Sequence, residues 1–260
     1  MTGFLQDLRY AGRMLVKSPW MSATSAGALA MGVAVTAIMF SIVYAALMRG
    51  LPFEDGERIM RVERTIRDET MAVSIHDYQD WRAQQSSLES ISAVYEGTVN
   101  VRWTDRPERF DGAFITANGF ATLGVQPILG RPFREDEDEP GAPMSLILSH
   151  HVWMDRFEGG SEALGQVVKV NGEQAEIIGV MPEGFLFPST QDLWVPLRLD
   201  ALALPRGQGQ GLAVYGKLSE GVSKDEAMTE YSGIAARLAR EYPDTNEGVG
   251  YKAGENKLDP

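Results

Sequence analysis

From Ser18 to Met48 the chain holds no Asp, Glu, Lys or Arg, with Lys17 closing the run on one side and Arg49 on the other. Coiled as a helix at about 1.5 Å per residue, such a run reaches ~46 Å, more than the ~30 Å of hydrocarbon in a bilayer. Trp20 and Tyr44 stand near its ends, where amphipathic rings favour the membrane–water boundary. The pattern predicts a transmembrane helix over 18–48. A cleaved signal peptide is the rival reading, but its apolar core spans only about 7–15 residues. Ahead of the run, Phe4, Leu5, Leu8, Gly12 and Leu15 recur at three- and four-residue steps, with Arg9, Arg13 and Lys17 on another face. Residues 1–17 read as a cytoplasmic amphipathic segment on the inner leaflet. Within the span, Ala26, Ala30 and Ala34 form a small-residue stripe, with Ala28, Gly32 and Thr36 beside it, suited to close packing against another membrane helix.

After Arg49 the periodicity becomes that of a globular domain. Arg58–Ile66 alternates like a strand, and Ser74 caps a helix to about Gln85 with Ile75, Tyr78 and Trp81 on its apolar face. Strand-like runs follow at Ile91–Tyr95, Thr98–Trp103 and Arg109–Phe114, then a short helix over Asn118–Leu123 closed by Gly124. Ser145–Ser149 reads as a buried strand and His151–Phe157 as a helix stopped by Gly159-Gly160. Asn171-Gly172 between Gln166–Val170 and Glu173–Val180 is the favoured two-residue hairpin turn. Leu193–Leu197 and Leu212–Leu218 are further strands. Ser223 with Glu226 forms a capping box for a helix that buries Ala227, Ile234, Ala235 and Leu238 and ends at Pro243. The order predicts an α+β extracytoplasmic domain over 49–260. One subdomain is an α/β unit built from both ends of the region, and a β-rich one is inserted at about 130–200.

Charge sets the expected topology. Arg9, Arg13 and Lys17 outnumber Asp7 before the span, while the chain as a whole carries −12. Basic residues stay in the cytoplasm, so the N-terminus is expected inside and residues 49–260 in the periplasm. The acidic balance argues against nucleic acid as a partner. There is no cysteine, which excludes disulfides, thiolate metal sites and Cys nucleophiles.

The candidate chemistry is thin. His76-Asp77 lies at a predicted helix start, where an acidic residue serves the cap and dipole. His150 and His151 are neighbours at a strand-to-helix corner, and His151 with Asp155 offers two of the three or four ligands a metal needs. Glu135, Asp136, Glu137, Asp138 and Glu139 lack the glycine and terminal bidentate glutamate of a calcium loop and read as a solvated acidic loop. Ser149 lacks a nucleophile elbow. Gly207–Gly211 lacks the lysine and helix of a phosphate loop, and no nucleotide-binding G-x-x-x-x-G-K-[ST] exists. Trp153, Phe185 and Trp194 are expected in the core. No catalytic, cofactor or metal residue is assigned.

Several stretches carry a family resemblance. They include Thr116-Ala117-Asn118-Gly119-Phe120, Leu123-Gly124-Val125, Leu129-Gly130-Arg131-Pro132-Phe133 and Leu148-Ser149-His150. Ile178-Gly179-Val180-Met181-Pro182, Gly184-Phe185 and Leu193-Trp194-Val195-Pro196-Leu197 continue it, with Asp7-Leu8-Arg9-Tyr10, Leu51-Pro52-Phe53, Gly221-Val222-Ser223 and Glu241-Tyr242-Pro243 outside them. In order and spacing they resemble the MacB-like periplasmic core domain of ABC-transporter permeases of the FtsX-like kind, in the acidobacterial-type variant without a fused ATPase. The resemblance implies a porter-like subdomain with an inserted one, and an inner-membrane location. It implies a non-catalytic subunit that couples a cytoplasmic ABC ATPase to export or efflux. The partners it implies are that ATPase, further permease helices or a second copy, and a periplasmic adaptor, with membrane lipid around the span. Family members continue into three more membrane helices, whereas after Asn246 this sequence is expected to drift into Lys252–Pro260 and stop, as a fragment or a truncated gene product. The alternatives are a membrane-anchored sensor without transport and a membrane-tethered hydrolase.

Overall fold

The computed structural model describes residues 19–47, 56–104 and 106–254. The chain divides into two compact units, Met1–Gly50 and Leu51–Pro260. In the first, α1 (Pro19–Leu47) is one helix of 29 residues with no acidic side chain in its first turn and no basic one in its last. Thr36 Oγ1 donates to Gly32 O at 2.8 Å within it. Its side chains are described without a break only over 26–40. Counted on the described residues, no helix is long and apolar enough to cross a membrane. The backbone helix expected over 18–48 is therefore present, while its crossing of a bilayer is not established. The amphipathic segment 1–17 and Leu51-Pro52-Phe53 lie outside the described residues.

The second unit is built on one mixed sheet of 11 strands. Its first half lies in the order β11 (Val249–Gly254), β1 (Ile59–Ile66), β10 (Ala213–Leu218), β3 (Leu88–Arg102), all antiparallel, with β2 (Glu69–Met71) beside β1. Two helices, α2 (Ile75–Gln84) and α5 (Lys224–Glu241), cover one face. Both have the expected caps. Ser74 Oγ accepts from Asp77 N, and Ser223 and Glu226 form a reciprocal capping box. Met60, Val62, Trp81, Ile91, Val214, Tyr231, Ile234 and Leu238 make the core between helices and sheet.

Beyond residue 97 the same sheet curls on itself. β3 pairs with β4 (Pro107–Ile115), β4 with β9 (Leu193–Pro196), and β9 with β6 (Met144–Leu148). β6 then pairs with β8 (Glu173–Val180), β8 with β7 (Val167–Val170), and β7 returns to β3 through Val101↔Val170 and Arg102↔Lys169. The six strands form a closed ring whose interior holds Val99, Val101, Leu146, Leu148, Val168, Val170, Ile177 and Val195. Alternation on β3 serves both halves. Ile91 and Ala93 face the helices, and Val99 and Val101, of the same parity, face into the ring. A third cluster, with Phe120, Phe133, Phe185, Phe187 and Trp194, lies on the opposite face and includes Ile59 and Tyr215 of the flat half. The short helix α3 (Gly119–Leu123) belongs to that layer and ends at Gly124, φ +69°, as its sequence predicts. The remaining small elements are β5 (Leu129–Gly130), α4 (His150–Phe157) and α6 (Pro243–Asn246).

Three expectations change. The runs Ile91–Tyr95 and Thr98–Trp103 are one strand of 15 residues. Gly97, which looks like a break, pairs across the ladder with Gly112, so the strand passes through. β2 and β5 are too short to leave a pattern. The tail expected to drift after Asn246 instead forms β11, antiparallel to β1. Gly250, Lys252 and Gly254 obscure it in the sequence, while Val249 and Tyr251 bury.

Candidate functional site

The acidic loop is not a solvated one. Glu137 is only 9 % exposed. Its carboxylate accepts from Arg131 Nη1 and Nη2 at 2.9 and 2.8 Å, from Arg134 N at 2.7 Å and from Ser145 Oγ at 2.8 Å. Burial pushes this carboxyl up. Those hydrogen bonds and the Arg131 charge outweigh burial and hold it at about 2. Asp138 Oδ2 accepts from Ala117 N at 2.8 Å, tying the loop to the start of α3. Glu135, Asp136 and Glu139 face solvent. The loop is a strap fastened at two adjacent residues, Glu137 and Asp138, a role that a run of five acidic letters does not reveal.

The His150–His151 corner also resolves into structure. Ser149 is the N-cap of α4, its Oγ 3.3 Å from Val152 N and 2.9 Å from His151 Nδ1. His151 Nε2 lies 2.9 Å from Asp192 Oδ1. The line Ser149–His151–Asp192 has the composition of a hydrolytic triad but not its access. Ser149 is 2 % exposed and its hydroxyl is committed to the cap. Asp192 accepts from Asp111 N at 3.1 Å, so the line joins β4, β9 and α4. His150 packs edge-on to Trp153 at 5.5 Å, at the corner where the sequence puts it. Asp155 is exposed, and among the described residues no third ligand joins it and His151. Trp194 is fully buried and donates Nε1 to Phe187 O at 2.8 Å, and Phe185 packs on it. Trp153 is only half-buried, donating to Gly160 O at 2.9 Å.

A charged knot that the sequence does not announce lies beside α2. Asp77, 1 % exposed, has Arg64 Nε at 3.1 Å, off the line of the N–H, and Arg206 Nη2 at 3.1 Å. Asn246 Nδ2 donates to it at 2.8 Å. Arg206 also pairs with Asp80 and stacks on Tyr242 at 3.7 Å. His76 Nε2 lies 2.9 Å from Ala201 O and 3.1 Å from Leu204 O. These contacts fasten the 201–211 loop, including Gly207–Gly211, to α2, β1 and α6. Four charged side chains from three parts of the sequence meet there, and only their separate exceptions to the surface pattern could have flagged them. Burial and neighbouring charges push the Tyr231 and Tyr251 hydroxyls up, Tyr251 to about 12, so both stay neutral.

A half-open cleft of about 450 Å³ lies where β1, β2 and β10 meet the 188–189 strap. Arg61, Glu63, Thr70, Met71, Glu96 and Ser189 line it. Glu96 is occupied, accepting from Ser189 Oγ at 2.7 Å and Gln191 Nε2 at 2.9 Å. Among the described residues no three His, Asp or Glu side chains gather as metal ligands. The arrangement can hold strands, straps and loops in fixed relation and can present faces.

Comparison with solved structures gives the same fold in several proteins, three of which illustrate it. A domain assigned to a permease protein of Porphyromonas gingivalis is 16 % identical, with a TM-score of 0.59 over 78 % of this chain and 92 % of that one. The extracellular domain of the noncanonic ABC-type transporter YknZ from Gram-positive bacteria is 18 % identical, with a TM-score of 0.53 over 76 % and 100 %. The periplasmic region of MacB from Actinobacillus actinomycetemcomitans is 14 % identical, with a TM-score of 0.53 over 75 % and 88 %. Comparison with characterised protein sequences gave no match. The family profile of the MacB-like periplasmic core domain matches residues 22–233, and the chain belongs to that family.

Proposed function

We propose that this chain is the extracytoplasmic domain and first membrane helix of an ABC-transporter permease, and that it couples the motion of a separate cytoplasmic ATPase to export. The observation that carries the reading is the family match, which begins at residue 22, inside the charge-free helix α1, and runs on through the folded unit. A helix of 29 residues is about 43 Å long, enough to span the hydrocarbon with tilt. The basic residues before it favour a cytoplasmic N-terminus and a periplasmic 49–260. In this reading the flat half of the sheet with α2 and α5 is the porter-like subdomain. The β5–β9 segment is the inserted one, and it closes its ring by borrowing β3 and β4. The chain has no nucleotide loop of its own and serves as a non-catalytic subunit. The stripe at Ala26, Ala30 and Ala34 is the face on which another permease helix, or a second copy, docks, and a periplasmic adaptor completes the assembly. Two measurements test this. An alkaline phosphatase fusion at Pro260 should be active and a green fluorescent fusion dark. The full chain, extracted in mild detergent, should co-purify with an ABC ATPase. The opposite fusion pattern removes the span, and a chain that never recovers an ATPase is a membrane-anchored sensor instead.

A further inference from the structure

Thr98, Asn100 and Arg102 of β3 point to the outside of the ring, on the parity opposite to Val99 and Val101. The ladder sets Lys169 of β7 directly opposite Arg102, and Arg109 of β4 opposite Asn100. All three cations are exposed, as is Arg106 in the β3–β4 turn. Arg109 donates to Thr98 Oγ1 at 2.9 and 3.2 Å. Among the described residues no carboxylate pairs with Arg102, Arg106, Arg109 or Lys169, whereas Arg156 at the same end does pair with Glu108. Among the described residues the acidic groups on the same face are Asp111, opposite Thr98, and Glu176, opposite the exposed Val167; Asp105, next to Arg106, lies outside the described residues. Like charges directly opposite each other on paired strands repel. Arg102 and Lys169 stand in that relation with no ion-pair partner among the described residues, on a chain of net charge −12.

We propose that this strip across β7, β3 and β4 is an interaction surface for a carboxylate-rich segment of a partner protein. Its shape and charge choose that occupant. The strip is an open strand face and lies outside the cleft at β1, β2 and β10, so its cations do not converge there on a small anion. A long polyanion would reach past three or four cations onto the surrounding acidic surface and be repelled, while a short acidic segment is not. Val167, 62 % exposed, and Pro107 flank the cations and offer apolar area to the aliphatic stems of a peptide. The cations stand on neighbouring strands at positions of one parity, a spacing that alternate carboxylates of an extended chain can meet. The proposal concerns the folded unit alone and is independent of whether the chain serves transport.

The test uses the full chain in a non-ionic detergent and a fluorescent octaglutamate peptide at low salt. Wild type should bind the peptide, and added salt should weaken binding. The double variant Arg102→Gln/Lys169→Gln should bind it about fivefold or more weakly. Arg240→Gln, an exposed cation on α5, should leave binding unchanged. The double variant should melt no lower than wild type, because it removes a repulsive pair. Should it fail to fold, Arg109→Gln carries the same expectation. Equal affinity of wild type and strip variants overturns the proposal. Tighter binding of polyphosphate than of the peptide overturns the choice of a carboxylate partner. Self-association of wild type that the double variant loses reassigns the face to a second copy of this chain.

Discussion

Glu137 is the residue on which the strap between β5 and β6 turns. It receives four hydrogen bonds, two of them from one guanidinium, and its carboxyl is held at about 2. An unfolded glutamate titrates near its ordinary 4.5. The folded state therefore binds fewer protons than the unfolded state between these values. The stabilisation from Glu137 is complete above about pH 4.5 and is lost as pH falls towards 2. Glu137→Gln keeps the shape, removes the charge and turns one acceptor into a donor facing Arg131. At neutral pH it should cost about 2 kcal/mol, the scale of charge-assisted hydrogen bonds in a buried setting. The deficit should narrow as the pH is lowered below 4.5. Urea unfolding at pH 7, 5 and 3.5 measures this, and a pH-independent deficit would contradict the assignment. Neighbouring acidic residues in a row look alike in sequence, so neither the burial of Glu137 nor its partner Ser145, eight residues on, could be read there. The Asp77 knot was hidden for the same reason, since Arg64, Arg206 and Asn246 come from far along the chain.

At the scale of elements, local rules were sufficient wherever a cap, a turn or a long amphipathic face carried the information. The Ser74 and Ser223 caps, the Asn171-Gly172 turn with φ of +51° and +95°, and the buried stripe of α5 appear as their residues predict. What local rules missed was set by partners. β11 is a strand because β1 needs an edge partner, and β3 runs unbroken because Gly97 has Gly112 opposite. Gly112 illustrates the constraint. A Cβ built there would lie 2.2 Å from Val99 Cγ2 and 3.1 Å from Val99 Cβ, both on the strand that joins the two halves of the sheet. Gly112→Ala should destabilise by about 1–3 kcal/mol through overpacking. Gly233, exposed on α5 with only the flexible Arg237 Nη1 at 4.0 Å, meets the opposite condition. Gly233→Ala should stabilise by about 0.5–1 kcal/mol through helix propensity. Paired chemical denaturation of the two variants separates steric from conformational effects, and equal signs would show that the ladder at Gly112 relaxes.

For the whole folded unit the question is whether the flat half and the ring are one cooperative body. The sequence suggests two subdomains, and two cores are present, one under α2 and α5 and one inside the ring. Two features join them. β3 and β4 belong to both, so their hydrogen bonds cannot be lost in the ring without exposing strands that the flat half needs. The third cluster straddles the junction. Ile59 of β1 and Tyr215 of β10 share it with Phe120, Ile147 and Trp194, and Phe187 meets Tyr215 at 4.9 Å. Opening either half would uncover several fully buried aromatic side chains, each worth roughly 1.5–3 kcal/mol or more in apolar burial. A partly open state therefore lies far above the native one, comparable with the whole stability of a domain. The segment 50–260, expressed without α1, should melt in a single transition, against the two steps that an independent insert would give. Trp81 reports the flat half and Trp103 the ring, because Trp81 packs on Tyr231 and Tyr251, and Trp103 on Phe110 and Phe157. Versions keeping only one of these two tryptophans should give coincident urea curves. Separate midpoints would mean that the junction layer is weaker than its burial implies, and that the ring can open while the flat sheet stays folded.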